Sequence, residues 1–384
     1  MQVSTRISSR ISSRTGAILF WGSSLVFGAS SLGVLAVLSH HLAPGGFAAT
    51  SAVFALAFVT AVVPSSIQLR AAAMRGAGGN GDTVPWRAVW AITGALLVAA
   101  PALGPVLALP SAAVALVAVQ IVPSVALGAR RGALIGGRWL TAAGASLGVE
   151  AVVRFVAGVA MGLAWQGAGV AAALALATLV ALAVVPRSED LAISADGLVT
   201  PFVPTVLSLG ALMLLANIDV IVAPAALGAT AADSYDLAAV PAKGILAGLL
   251  AAGWLAVPGA RSRRGPRHVL APVGATVLLG LAAAVAVVAL RPLIALLFGR
   301  AEPDALLLVL LAVAMAAAAG TSVCVHLAVA LGAPRPWIPT AAASVAIALL
   351  ASTHPAPQLL AAGVLAVHVA ALLISLRMLT TGTR

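Results

Sequence analysis

Residues 140–185 read LTAAGASLGVEAVVRFVAGVAMGLAWQGAGVAAALALATLVALAVV, and this stretch decides the fold class. It contains two apolar runs that are separated at Trp165 and Gln166. Each run has about the 20 apolar residues that a helix needs to span a bilayer. Only Glu150 and Arg154 carry charge in the whole stretch. The stretch therefore predicts two consecutive transmembrane helices.

The composition of the whole chain has the same character. Of 384 residues, 62% are hydrophobic and 8% are charged, and the mean hydropathy is +1.14. A soluble protein carries about a quarter charged residues, so a water-soluble globular enzyme is excluded. The abundant Ala and Gly favour close helix packing in lipid. The single cysteine, Cys324, allows neither an intramolecular disulfide nor a cysteine metal cluster, and we expect no cofactor and no metal.

Hydropathy predicts an all-α integral membrane protein with twelve transmembrane helices in two six-helix lobes. The N-lobe covers 15–185 and the C-lobe covers 202–377. A basic arm (1–14), a linker (186–201) and a tail (378–384) complete the chain, and all three are predicted to be cytoplasmic. The predicted spans are 15–39, 46–69, 88–107, 110–128, 140–164, 167–185, 202–222, 237–257, 269–290, 305–330, 337–352 and 358–377.

The basic residues give the orientation. With the N-terminus in the cytoplasm, 17 of the 21 basic residues fall in inner segments, as the positive-inside rule expects. The pair Arg130 and Arg131 is assigned to one of these inner loops. The net charge of +11 therefore reports membrane orientation and does not indicate nucleic-acid binding. Both termini are predicted to be cytoplasmic, with the basic arm on anionic lipid headgroups.

An internal repeat supports the division into two lobes. The segment 102–109 (ALGPVLAL) resembles 289–296 (ALRPLIAL), an offset of 187 residues. The same offset separates the start of the first predicted span, residue 15, from the start of the seventh, residue 202. Six helices followed by six in the same orientation indicate a parallel duplication, an arrangement that is common in transporters with a cavity between the halves.

Four short motifs carry a resemblance to a known family. They are 22–28 with 38–47 (GSSLVFG and LSHHLAPGGF), 217–222 with 233–239 (NIDVIV and DSYDLAA), 293–299 (LIALLFG) and 331–335 (LGAPR). Through these motifs the chain resembles the multidrug/oligosaccharidyl-lipid/polysaccharide (MOP) exporter superfamily, on the polysaccharide-flippase side.

The resemblance implies a V-shaped pair of lobes in a bacterial plasma membrane. Its implied function is export of a lipid-linked saccharide or cell-envelope precursor by alternating access, with glycosyltransferases or a polymerase of the same pathway as partners. Two alternatives stay open. One is a cation-coupled exporter of small amphiphiles, similar to multidrug and toxic compound extrusion (MATE) transporters. The other is a non-transporting scaffold of a polysaccharide assembly complex.

Glu150 and Arg154 form the first candidate site. Their i,i+4 spacing places them on one face of a helix, near the middle of the predicted span. A charge at this depth costs about 2.5–3.5 kcal/mol unless it is paired or faces water. Arg154 is therefore predicted to meet an anionic pyrophosphate or sugar acid, with Glu150 tuning it. A self-neutralising structural pair is the open alternative.

Asn217, Asp219 and Lys243 form the second candidate site. Antiparallel neighbouring helices would bring Asp219 and Lys243 to a similar depth. They are interpreted either as a structural salt bridge or, with Asn217, as a coupling-cation site. No phosphate-binding G-x-x-x-x-G-K-S/T loop is present, and the acids of the predicted outer loops, including Asp233 and Asp236, are scattered. The sequence thus predicts a non-enzymatic protein.

Overall fold

The computed structural model describes residues 2–76, 84–137, 139–186, 202–260, 266–331, 333 and 335–382. All regular secondary structure in these ranges is helical. The helices are α1 (Gln2–Ser39), α2 (Gly46–Thr60), α3 (Val62–Gly76), α4 (Trp86–Val106), α5 (Ser111–Gly136), α6 (Leu140–Val184), α7 (Phe202–Ala226), α8 (Ala229–Ala260), α9 (Pro266–Ala289), α10 (Arg291–Phe298), α11 (Ala305–Ala330), α12 (Ile338–Ala351) and α13 (Pro357–Gly382).

These helices correspond to the twelve predicted spans. Helices α2 and α3 make one span, and α6 contains two, because its backbone leaves helical geometry at Trp165 and Gln166. Gln166, which has a positive φ of 50°, is one of the two residues that separate the apolar runs in the sequence. The short α10 is additional and ends at Gly299 in the left-handed region. The predicted all-α, twelve-helix fold is confirmed.

Nine segments within the described residues are long and apolar enough to cross a membrane. One of them is the whole of α6, at 45 residues, which the break divides into two. The shorter α12 is also apolar. The protein is a multi-pass membrane protein.

The chain divides into two compact units. Unit 1 comprises Met1–Val34, Thr60–Pro105 and Pro110–Phe202. Unit 2 comprises Leu35–Val59, Val106–Leu109 and Val203–Arg384. Helix α1 and the α2–α3 span are therefore each shared between the units. The predicted lobe boundaries stay a prediction, and most of the predicted linker (186–201) lies outside the described residues.

A stripe of glycines joins α5 to α3 in unit 1. Gly128, Gly132 and Gly136 follow one another at four-residue intervals, so they lie on one face of α5. A Cβ added at Gly128 would lie 2.6 Å from the carbonyl oxygen of Pro64, and one at Gly136 would lie 2.5 Å from that of Ala72. The backbones approach this closely only because these positions lack side chains.

Unit 2 is organised around α11. Helices α8, α9 and α13 all pack against it, and its middle turns are rich in buried alanines, including Ala312, Ala316 and Ala319. At Gly280 on α9, an added Cβ would lie 2.9 Å from the Cα of Ala316. Small residues thus let the central helix contact its neighbours closely.

Candidate functional sites

Glu150 holds two arginines in unit 1. Its Oε1 lies 3.2 Å from Nη2 of Arg154, one turn along α6. Its Oε2 lies 2.6 Å from Nη1 of Arg131 on α5. All three residues are 4–6% exposed. We call Arg131, Glu150 and Arg154 the arginine–glutamate cluster; with one acid for two bases, its formal net charge is +1.

Both arginines have further partners. The Arg131 guanidinium donates to the Ser146 hydroxyl at 3.0 Å and to the Ser146 carbonyl at 2.9 Å. The Arg154 Nη1 donates to the Ser31 hydroxyl of α1 at 3.2 Å. Its guanidinium carbon also lies 3.8 Å from the centre of the Phe27 ring. Its Nε, in contrast, is buried and has no hydrogen-bond partner among the described residues.

Small residues bring α1 close enough to α6 for these contacts. At Gly144, an added Cβ would lie 3.1 Å from the Cα of Phe20. At Gly33, it would lie 3.0 Å from the Phe155 ring. One side of the cluster is therefore built by α1, which supplies a hydroxyl and an aromatic face to Arg154.

The half of α6 that follows the break at Trp165 and Gln166 also contacts Glu150, through a longer hydrogen bond. The Thr178 hydroxyl lies 3.4 Å from Oε1 of Glu150, and the Gln120 amide donates to Thr178 at 3.3 Å. The buried side-chain oxygen of Gln120 has no partner. Polar groups from α1, α5 and both halves of α6 thus contribute to the arginine–glutamate cluster and its contacts.

Asp219 and Lys243, which the sequence predicts at a similar depth, form an ion pair in unit 2. Lys243 Nζ lies 2.8 Å from Oδ1 of Asp219 and also contacts the Ala216 carbonyl. The Tyr235 hydroxyl donates to Oδ2 of Asp219 at 3.0 Å. The amide nitrogen of Asn217 donates to the Met213 carbonyl at 2.9 Å within α7. This hydrogen bond does not link Asn217 to Asp219 or Lys243.

Asp233 of α8 is a second carboxylate in unit 2, and it contacts the start of α2. Its oxygens accept the backbone N–H groups of Gly45 at 3.1 Å and Ala48 at 2.9 Å. Arg300 Nη1 lies 2.9 Å from Oδ2 of the same carboxylate. Asp233 therefore caps the N-terminus of α2 and pairs with a cation at the same time.

Arg300 and Ser39 fasten the same region from the other side. Arg300 Nη2 donates to the Ser39 carbonyl at 3.3 Å, and the guanidinium faces the Phe47 ring at 5.3 Å. The Ser39 hydroxyl donates to the Phe298 carbonyl at 2.7 Å. The end of α1, the start of α2 and the segment after α10 are thus linked within unit 2.

Asp236 lies one turn beyond Asp233 on α8 and is fully buried. Its Oδ2 is in close contact with the hydroxyl of Ser51 on α2. Its Oδ1 has no hydrogen-bond partner in the part of the chain that the structure describes. Among the described residues, no cation lies within ion-pair distance of this carboxyl.

The sequence missed several of these residues. The sequence predicts Arg131 in an inner loop, and this prediction is wrong, because α5 continues to Gly136 and buries the side chain. The sequence predicts Asp233 and Asp236 as scattered loop acids, whereas both lie on the first turns of α8 and contact α2. Their three-residue spacing was the available signal. The described residues hold no group of His, Cys, Asp or Glu suited to a metal.

Comparison with solved structures places this fold among transporters. An inward-facing multidrug-resistance MATE transporter of the MOP superfamily aligns with 95% of this chain and 94% of its own, at 14% identity and a TM-score of 0.61. An outward-facing MATE transporter of the same superfamily aligns with 97% and 96%, at 15% identity and a TM-score of 0.61.

A third solved structure is a MOP superfamily transporter from Pyrococcus furiosus, for which reverse polarity of the binding pocket is described. It aligns with 97% of this chain and 96% of its own, at 15% identity and a TM-score of 0.61. No family model and no curated protein sequence matches the chain. The chain therefore has the fold of MATE transporters of the MOP superfamily, and its structural neighbours are transporters and not enzymes.

Proposed function

We propose that this protein is a MATE-like, cation-coupled exporter of small amphiphilic molecules that works by alternating access. The observation that carries the proposal is the similarity to MATE transporters, which extends over 95–97% of the chain. Transporters built from two repeated halves work by rocking one half against the other, and the predicted organisation of this chain in two sets of six helices suits that mechanism.

The two charged clusters suit the two tasks of such an exporter. Buried ionisable residues in membrane proteins mark substrate or ion pathways. Asp219 on α7 and Asp236 on α8 supply carboxylates for a coupling cation, and Tyr235 and Lys243 both contact the Asp219 carboxylate. The arginine–glutamate cluster, at a net charge of +1, supplies a complementary site for a negative group on the cargo.

The same net charge favours a second candidate, export of a lipid-linked saccharide. Two guanidinium groups within reach of one carboxylate leave positive charge for a pyrophosphate, to which arginine binds in a bidentate manner. In this candidate, Arg154 and Arg131 hold the headgroup while the lipid tail stays in the bilayer. Small anionic amphiphiles and pyrophosphate-linked lipids share the anionic chemistry, and transport assays separate them.

The test uses the purified full chain in proteoliposomes. Uptake of fluorescent anionic and cationic amphiphiles is measured with an imposed cation gradient, and flipping of a fluorescent polyprenyl-pyrophosphate saccharide is measured in parallel. We expect gradient-driven transport of an anionic amphiphile, with Arg154→Ala lowering the rate at least tenfold. Flipping of the lipid-linked saccharide alone would support the second candidate instead.

Arg291→Ala is the matched control. Arg291 pairs with Glu302 at 2.7 Å, and both side chains are more than a third exposed. Its removal should leave transport unchanged. A folded protein that moves none of these compounds would refute both candidates and leave the scaffold of a polysaccharide assembly complex.

Location and orientation follow from the same proposal. We place the protein in a bacterial plasma membrane with both termini cytoplasmic and with the N-terminal basic residues on anionic lipids. Glycosyltransferases or a polymerase are its partners if the saccharide is the cargo. Protease accessibility of a tag at either terminus, in right-side-out and inside-out vesicles, tests the orientation.

A further inference from the structure

The start of α2 is held by two carboxyl groups of α8. Asp233 and Asp236 are three residues apart, so they lie on one face of that helix. Asp233 contacts the first turn of α2 at Gly45 and Ala48. Asp236 contacts the next turn at Ser51. Docking of α2 on α8 therefore buries both carboxyl groups together.

The two carboxyl groups have opposite surroundings. Asp233 receives two backbone N–H groups and the Arg300 guanidinium, and it lies at the positive end of the α2 dipole. These contacts suit an ionised carboxylate. No cation of the described ranges pairs with Asp236, although a buried charge without a partner costs several kcal/mol.

The contacts of Ser51 fit a protonated Asp236. The Ser51 hydroxyl lies 3.0 Å from the Ala48 carbonyl and also contacts Oδ2 of Asp236. A hydroxyl has only one hydrogen, but it can also accept. Both contacts are satisfied when Ser51 donates to Ala48 and accepts a hydrogen bond from a protonated Asp236.

The charged neighbours of Asp236 do not supply a positive charge that would neutralise its ionised carboxylate. Asp219 on α7 and Asp233 on α8 are both acidic, and they disfavour a further negative charge nearby. Lys243 lies two turns further along α8, but its ammonium group is engaged by Asp219 at 2.8 Å and by the Ala216 carbonyl. From α2, Asp236 is contacted by the uncharged Ser51 hydroxyl.

We propose that Asp236 is a proton-binding site sealed by Ser51, so that α2 stays docked on α8 only while Asp236 carries its proton. When α2 leaves, water reaches the carboxyl and the proton exchanges with it. This inference rests on the proposed cation-coupled exporter and names its coupling ion as the proton. With the N-terminus cytoplasmic, the exchange faces the outside of the cell.

Electron paramagnetic resonance tests the proposal on the full chain in lipid nanodiscs, without cargo. Spin labels are placed at the exposed positions Ala43 and Thr230 in a Cys324→Ala background, which removes the one native cysteine. The docked fraction is measured from pH 5 to pH 9. We expect the ratio of docked to undocked molecules to fall about tenfold per pH unit above a midpoint, as linkage to one proton requires.

Two variants of α8 separate the proton site from simple attachment. Asp236→Asn is uncharged at every pH, and we expect its docked fraction to be high and independent of pH. Asp233→Asn loses the charged cap, and we expect weaker docking that still varies with pH. An Asp236→Asn protein that keeps the native pH dependence, or is undocked throughout, would overturn the proposal.

A third variant covers failure of Asp236→Asn to fold. Ser51→Ala removes the acceptor and keeps the carboxyl, and we expect the midpoint to move to lower pH because docking then stabilises the proton less. An unchanged midpoint would overturn the proposal. Because the measurement needs no cargo, a negative transport assay and a negative docking assay are distinguishable results.

Discussion

Replacement of Glu150 by Gln tests the central claim about the arginine–glutamate cluster. The change preserves the size of the side chain and removes only its charge. It leaves Arg131 and Arg154 buried without the carboxylate that lies 2.6 and 3.2 Å from them. Loss of one partner of a buried ion pair costs about 3–5 kcal/mol.

The contacts of each arginine indicate where this cost falls. Arg154 keeps the Ser31 hydroxyl and the Phe27 ring, and a desolvated cation–π contact contributes about 2 kcal/mol. Arg131 keeps only Ser146. Its charge is therefore the less compensated of the two. We expect Glu150→Gln to lower the free energy of unfolding by about 3–5 kcal/mol.

The measurement is denaturant unfolding of the purified protein in detergent micelles, followed by tryptophan fluorescence. The double variant Glu150→Gln/Arg131→Met removes the less compensated charge, and it should recover part of the loss. Glu302→Gln is the surface control, with an expected loss of about 0–1 kcal/mol. A Glu150→Gln protein within about 1 kcal/mol of the native stability would show that the cluster does not depend on this charge.

Three further changes test the packing of the fold. Gly132→Leu places a side chain against the Gln68 carbonyl, and we expect a loss of about 1–3 kcal/mol or more in unfolding experiments; unchanged stability would show that α3 and α5 are less closely packed. Gly299→Ala adds a methyl group against the His40 ring at a positive φ of 57°. It should lower the thermal midpoint, whereas an unchanged midpoint would contradict this close approach. Asp304→Ala removes the side chain that accepts the N–H of Leu307 at the start of α11, and should cost about 1 kcal/mol in the same unfolding assay, with Asp304→Asn as the control that keeps a cap.

The sequence predicts the helices well because hydropathy acts locally. The break at Trp165 and Gln166 is visible as an interruption between two apolar runs, and the backbone departs from helical geometry at those same residues. The Glu150–Arg154 contact is equally local, since i,i+4 residues of a helix are neighbours by geometry. Asp219 and Lys243 were predicted to reach a similar depth from adjacent helices, and they form an ion pair.

The remaining parts of the candidate sites depend on contacts that are distant in sequence. From the sequence, Arg131 indicates only membrane orientation. Its partner, Glu150, is 19 residues later on α6, and the ion pair forms because α5 packs against α6. The partners of Asp233 and Asp236 at the start of α2 are 185 to 188 residues away. Hydropathy and local spacing contain no information about which helix ends meet.

The glycine stripe of α5 restricts how the length of this helix can vary among related chains. One residue inserted before Gly128 would rotate everything upstream by about 100° relative to the stripe, so the earlier part of α5 would turn a different face to its neighbours. A seven-residue insertion restores the facing direction to within about 20°. We therefore expect homologues to have no insertions or deletions in this helix, or ones of seven residues. Insertions and deletions of other lengths should occur beyond Gly136.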